Sequence, residues 1–215
     1  YKTADKTNTE IREQFVQMME PTTESTAKSE KIQMPIRIDF DALKQENNDI
    51  IGWIYCPDTP INYPVVKGND NNQYLRADLK GKYLVSGTIF ADYRNNEVGE
   101  DKNYIVYGHN MKNSTMFGTL VKYKDQTYYD SHPILYFLTP DANYIIELCA
   151  GAVVKRDSDI YQTAPTDNTI ADIMAKSTFN SAVEIGNGEN IITLSACSYE
   201  FNNARYVVVG KLKKI

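Results

Sequence analysis

From residue 50 onward the chain is written as short runs of Val, Ile, Tyr and Phe, separated by Gly, Pro, Asn and Asp. Eight runs stand out: 51–56, 61–66, 86–91, 103–108, 134–138, 143–154, 190–196 and 205–213. Runs of this length, bounded by turn formers, read as β-strands. Eight of them in succession predict a mostly β fold, a barrel or a sandwich. Short helices are predicted between them, near 70–77, 114–122 and 168–180. In the last, Ile170, Ile173 and Met174 fall on one face, and Thr169 and Asp172 can cap its start.

The first 32 residues have a different character, rich in Thr, Glu and Lys. Ile11, Phe15, Met18 and Met19 recur at helical spacing, and Thr7 and Glu10 have the separation of a capping box. An amphipathic helix over 8–20 is expected, with an apolar face that must dock on something. Residues 21–31 carry almost no apolar surface and read as a linker. A second short helix is expected at about 39–47, starting at Asp39. The expected division is an arm and linker over 1–32 and a β domain over 33–215.

Bulk properties exclude several classes. The formal net charge is −5, which gives no global electrostatic reason to bind nucleic acid. No apolar stretch approaches the ~18 residues needed to span a bilayer. Residue 1 is Tyr and not Met, so an export or anchoring segment is expected to precede it. Two histidines and three scattered cysteines offer no Cys-x-x-Cys pair, which argues against a metal site. No Gly-rich phosphate loop is present, and no cofactor is expected.

The cysteines are Cys56, Cys149 and Cys197, an odd number, so at least one stays outside any intramolecular disulfide. Buried inert thiols are the ordinary fate of free Cys. Cys197 is different in its setting. It ends the run 191–197, and a polar connection with Asn202-Asn203 near its end leads to Arg205 and the next run. Such a link reads as a turn between antiparallel neighbours, which places Cys197 and Arg205 side by side. Alone, Arg205 reads as a surface ion pair at a strand edge. Beside a thiol, a guanidinium favours the thiolate and can donate to a substrate carbonyl or oxyanion. His109 follows the run 103–108. A polar strand terminus is its ordinary reading; with a thiol and a guanidinium elsewhere, it is a candidate acid–base group. His132, before Pro133, reads as a loop residue.

These residues carry a family resemblance. Thr193-Leu194-Ser195-Ala196-Cys197, followed by Arg205-Tyr206-Val207-Val208, resembles the sortase signature, Thr-Leu-x-Thr-Cys with an Arg on the next strand. Tyr107-Gly108-His109-Asn110-Met111, with Met116-Phe117-Gly118-Thr119-Leu120 after it, resembles the His segment of class B sortases. So do Ile61-Asn62-Tyr63-Pro64-Val65-Val66 and the stretch from Gly87 to Arg94, over a match spanning roughly 36–215. The resemblance implies an eight-stranded β-barrel with peripheral helices, an N-terminal helical arm, and a helix between strands six and seven. It implies a cysteine transpeptidase at the extracellular face of the cell membrane of a Gram-positive bacterium, attached only through an N-terminal anchor. Its partners would be surface proteins bearing a C-terminal sorting motif and an amine of the peptidoglycan peptide. Cys197 would be the nucleophile, His109 the acid–base group and Arg205 the carbonyl or oxyanion donor. Tyr107, Ser195, Asn62, Ile160 and Tyr161 would line the substrate groove. One departure stands out: the family's Thr before the Cys is Ala196 here. If that Thr hydroxyl positions substrate, rate or selectivity should differ; if the side chain only packs, little changes.

Two other readings compete. A papain-like or other cysteine hydrolase would use water as acceptor, but papain signatures are absent and the Cys follows the His. A non-catalytic β-barrel binding module would keep the groove without needing Cys197, His109 and Arg205 together.

Overall fold

The computed structural model describes residues 2–19 and 34–215, with side chains from residue 8. The linker expected at 21–31 lies outside the described residues.

Among the described residues, ten strands and four α-helices follow one another. They are α1 (Lys2–Phe15), β1 (Val16–Met18), β2 (Ile36–Ile38), α2 (Phe40–Glu46), β3 (Ile50–Tyr55), β4 (Asn62–Val66), β5 (Ile89–Ala91), β6 (Asn103–Tyr107), α3 (Gln126–Ser131), β7 (Ile134–Leu138), β8 (Asn143–Lys155), α4 (Asp167–Ala175), β9 (Ile191–Cys197) and β10 (Ala204–Lys214). Eight strands close a barrel in the order β10-β8-β7-β3-β4-β5-β6-β9. Every expected β-run contributes one barrel strand. The choice left open between barrel and sandwich falls to the barrel, and α4 lies between its sixth and seventh strands.

Side-chain alternation builds the barrel. Ile192, Leu194 and Ala196 of β9, Tyr104 and Val106 of β6, and Tyr206 and Val208 of β10 join an interior cluster fed by all eight strands. The alternate residues Ile105, Ile191, Val207 and Val209 face outward and pack with Ile170 and Ile173 of α4. A second outer cluster, around Trp53, Ile36 and Leu43, receives Phe15 and Ile11 of α1. The arm helix therefore docks on the barrel wall. Two barrel contacts, β4 with β5 and β6 with β9, are parallel. Parallel neighbours need long crossovers, and both crossovers bear on the site below.

Several local expectations need correction. The arm helix ends at Phe15, because residues 16–18 pair antiparallel with 36–38 as β1 and β2. Met18 is thus in a strand and 62% exposed instead of on a helical face. The helix begins at Lys2, so Thr7 lies inside it and not at its cap. The cap of α4 is Thr166, whose hydroxyl accepts from Thr169 N at 3.1 Å, three residues before the expected position. No helix forms over 70–77; Asp70 Oδ1 accepts from the backbone N–H groups of Asn72 and Gln73 at 2.8 Å each and makes a turn instead. Over 114–122, turns lead into a short 3-10 helix at Leu120–Lys124.

Candidate active site

Register alone brings the candidate residues together. Across the antiparallel β9–β10 pair, Cys197 faces Arg205. Across the parallel β6–β9 pair, Tyr107 faces Ser195. Continuing that register by two residues sets His109 beside Cys197. The chain holds it there: Gly108 N donates to Ser195 O at 3.1 Å, and Asn110 Nδ2 donates to Cys197 O at 2.9 Å. Cys197 is therefore flanked by Arg205 on one side and by the His109 segment on the other.

A cavity of about 530 Å³ opens over these residues. Cys197, His109, Arg205, Tyr107, Ser195 and Tyr161 all line it. Tyr161 and Ser195 share a hydrogen bond of 2.8 Å between their hydroxyls, and the Tyr161 ring stacks on Tyr107 at 6.0 Å. The two remaining groove candidates do not line the cavity. Ile160 is fully buried, its carbonyl accepting from Asn103 Nδ2 at 2.7 Å. Asn62 accepts from the Trp53 indole N–H at 2.7 Å and does not line the cavity.

Ala196 points the other way. It is 1% exposed and packs in the barrel interior. A hydroxyl at that position would need a buried partner, and leaving one unsatisfied costs roughly 1–3 kcal/mol. The departure from the family pattern is thus absorbed in the core.

Beneath the cavity lies a group that sequence reasoning missed. Asp92, just past β5, is fully buried. Its Oδ1 accepts from Arg94 N and Nε at 3.0 and 2.8 Å. Its Oδ2 accepts from Arg94 Nη2 at 2.7 Å, Tyr107 Oη at 2.8 Å and Asn71 Nδ2 at 3.0 Å. Arg94 also donates to Tyr161 O at 2.9 Å. Burial alone would raise the carboxyl pKa, but hydrogen bonds from Arg94, Tyr107 and Asn71 outweigh it and hold the pKa below the ordinary value. One carboxylate thus ties together three walls of the cavity. The sequence signal was an Asp directly after an apolar run, with Arg two residues on.

The loop after Cys197 is also fastened. Glu200 takes an ion pair from Lys124 and a hydrogen bond from Ser198. Burial works to raise the Glu200 carboxyl, but these partners bring it down to about 2.

The imidazole of His109 is half-buried, with Nε2 2.6 Å from the Leu75 carbonyl oxygen. Burial lowers its pKa; the Leu75 carbonyl works against that, and Arg76 and Arg205 add to the lowering.

The three thiols are free and differ in access. Cys56 is 0% and Cys149 4% exposed, while Cys197 opens into the cavity. Burial pushes both enclosed thiols up, Cys149 to about 12. Iodoacetamide on the folded protein, read by peptide mass mapping, is expected to label Cys197 at least ~10-fold faster than either. Equal, slow labelling of all three would favour a binding module over an enzyme. Among the described residues, no group of three or more His, Cys, Asp or Glu could hold a metal ion.

Comparison with known proteins places the chain in a family. The sortase domain family model matches residues 54–213. Sortase B of Listeria monocytogenes is 34% identical over 186 residues, covering 82% of this chain and 75% of the relative. A crystal structure of sortase B from B. anthracis in complex with AAEK2 matches with a TM-score of 0.81 at 32% identity, covering 100% of this chain and 98% of that one. A Staphylococcus aureus sortase B–substrate complex matches with a TM-score of 0.77 at 32% identity, over 82% and 85% of the two chains. A thiol flanked by an arginine and a histidine, on an eight-stranded barrel that also carries these likenesses, leaves one conclusion: the chain belongs to the sortase family, in its class B, and is a cysteine transpeptidase.

Proposed function

We propose that Cys197 attacks the carbonyl carbon of the Thr in a C-terminal sorting motif on secreted proteins. The observation that carries this is the placement of one accessible thiol between Arg205, its cross-strand partner, and the His109 segment. As the Sγ–C bond forms, the carbonyl oxygen takes up negative charge, which Arg205 meets with hydrogen bonds. The C–N bond of the motif then breaks, and His109 supplies the proton that the leaving amine needs. A thioacyl-enzyme remains. An amine of the cell-wall peptide attacks the thioester carbon and gives its proton to His109, and the Cys197 sulfur leaves. The product is a new amide, with no net oxidation or reduction.

Tyr107, Tyr161 and Ser195 form the wall along which the motif would lie, with Asp92 and Arg94 holding it from behind. Ile160 lies buried next to Tyr161, and Asn62 sits apart from the cavity, on the Trp53 indole. That a similar S. aureus sortase B forms a substrate complex supports a substrate site on this fold. We take residues 33–215 as the catalytic unit and 1–32 as its arm. Sortases work at the Gram-positive cell surface. None of the helices among the described residues is long and apolar enough to cross a membrane, and an anchor N-terminal to the arm is part of the proposal.

A library of sorting-motif peptides, assayed with candidate amines, tests the reading: cleavage after Thr with transfer to an amine is expected, and no cleavage of any Thr-containing motif would refute it. Arg205→Lys should lower kcat/KM on the order of 100-fold, because a point charge does not replace a planar fork of donors. A wild-type rate in that variant would remove Arg205 from the oxyanion role.

A further inference from the structure

The acceptor of the His109 hydrogen bond is a main-chain group on the crossover between β4 and β5. A carbonyl oxygen only accepts, so the 2.6 Å contact with Leu75 O requires that Nε2 carry the hydrogen. Nδ1 is then the nitrogen left to take and return a proton.

The crossover holds that carbonyl through its own hydrogen bonds. Leu75 N donates to Asn72 O at 3.1 Å, Thr88 N to Tyr74 O at 3.1 Å, Leu84 N to Arg76 O at 3.0 Å and Gly87 N to Leu84 O at 2.9 Å. The outgoing and returning arms are laced on both sides of Leu75. At their closest approach stands Gly87, with φ of +56°. A Cβ there would lie 2.6 Å from Tyr74 O and closer still to Leu75 O. Any side chain would push against the very carbonyl that holds the imidazole.

We propose that Gly87 is a positioning residue of the reaction: its missing side chain lets the Leu75 carbonyl seat against Nε2–H of His109 and so presents Nδ1 as the proton-exchanging nitrogen. The inference rests on the acid–base reading of His109. The charged and titratable groups facing the imidazole are Arg76 of the crossover, Arg205 of β10 and Cys197 of β9, with Arg94, Arg156 and Asp157 further round the cavity. Both Arg76 and Arg205 oppose the imidazolium, while the Leu75 carbonyl favours it. Displacing that carbonyl therefore shifts the His109 titration to lower pH.

Two measurements test this. The chain has only two histidines, and they make opposite contacts: His132 meets the Tyr128 carbonyl through Nδ1 at 3.0 Å. Long-range 1H–15N correlation of the wild-type protein near pH ~8, assigned with His109→Ala, should show the Nε2–H tautomer at His109 and the Nδ1–H tautomer at His132. An Nδ1–H tautomer at His109 would overturn the proposal, whether or not any Gly87 variant folds. The second measurement compares Gly87→Ala with Gly81→Ala. Gly81 lies on the same crossover at φ +74° with nothing within 4 Å of a built Cβ, so it carries the backbone strain without the collision. Gly87→Ala should lower kcat on the order of 10- to 100-fold and move the His109 titration to lower pH, with Gly81→Ala within about twofold of wild type. Equal effects of the two, or none from Gly87→Ala, would overturn it. If His109→Ala itself kept its rate, the acid–base reading would fall while the tautomer still reported the tether, so the two failures are distinguishable.

Discussion

Cys197→Ala is expected to abolish turnover of a fluorogenic sorting-motif peptide, lowering kcat by at least about 10⁴-fold. The size follows from the proposed route. Without Sγ no thioester can form, and the donors around the carbonyl stabilise charge on an intermediate that is never reached. The substitution should leave the fold intact. Cys197 stands at the end of β9 with its side chain in the cavity, and its backbone contacts, the pairing with Arg205 and the carbonyl that accepts from Asn110, do not depend on sulfur. An unchanged melting temperature with lost turnover is the expected pair of results. Residual turnover within tenfold of wild type would assign the nucleophile to another group.

His109→Ala is expected to be nearly as damaging, at about 10²- to 10⁴-fold. The imidazole is asked to act in both half-reactions, protonating one amine and deprotonating the next. Added amine acceptor should therefore fail to rescue the variant, because the first step is already slow. The pH dependence has a fixed direction. Burial, reinforced by Arg76 and Arg205, places the His109 pKa below its ordinary value. The limb of the wild-type kcat/KM profile due to His109 should lie on the acid side of ~6.5, and it should vanish in His109→Ala. Retained activity in that variant would end the acid–base assignment.

The barrel was legible because its strands obey one local rule. Runs such as 134–138 and 143–154 are apolar, short and closed by turn formers, and they appear as β7 and β8 with almost the same ends. The run at 86–91 shrank to β5 at 89–91, since Ser86 and Gly87 belong to the laced crossover and not to the ladder. Helices were less legible. Met18 and Met19 keep helical spacing with Phe15, yet pairing between residues 16–18 and 36–38 overrides that pattern. Gln126–Ser131 has a helix that apolar spacing did not announce, capped by Asp125 through Thr127 N at 2.8 Å.

The site divides along the same line. Cys197 and Arg205 are neighbours across a short connection, so the sequence alone could pair them. His109 reaches them through the parallel β6–β9 contact, across two strands and two α-helices of intervening chain. No local pattern carries that distance; the family resemblance supplied it. The carboxylate of Asp92 gathers partners from residues 71, 94 and 107, and only the folded chain brings these together.

The most direct test is the covalent state of the enzyme during turnover. The protein would be mixed with a sorting-motif peptide, quenched in acid within the first turnover, and read by intact mass and peptide mapping, with and without an added amine. The expected result is one acyl group ending in Thr, carried on Cys197, which disappears when amine is present as the Thr-amide product forms. An acyl group on another residue, or free-acid product alone in the presence of amine with no adduct at Cys197, would contradict it.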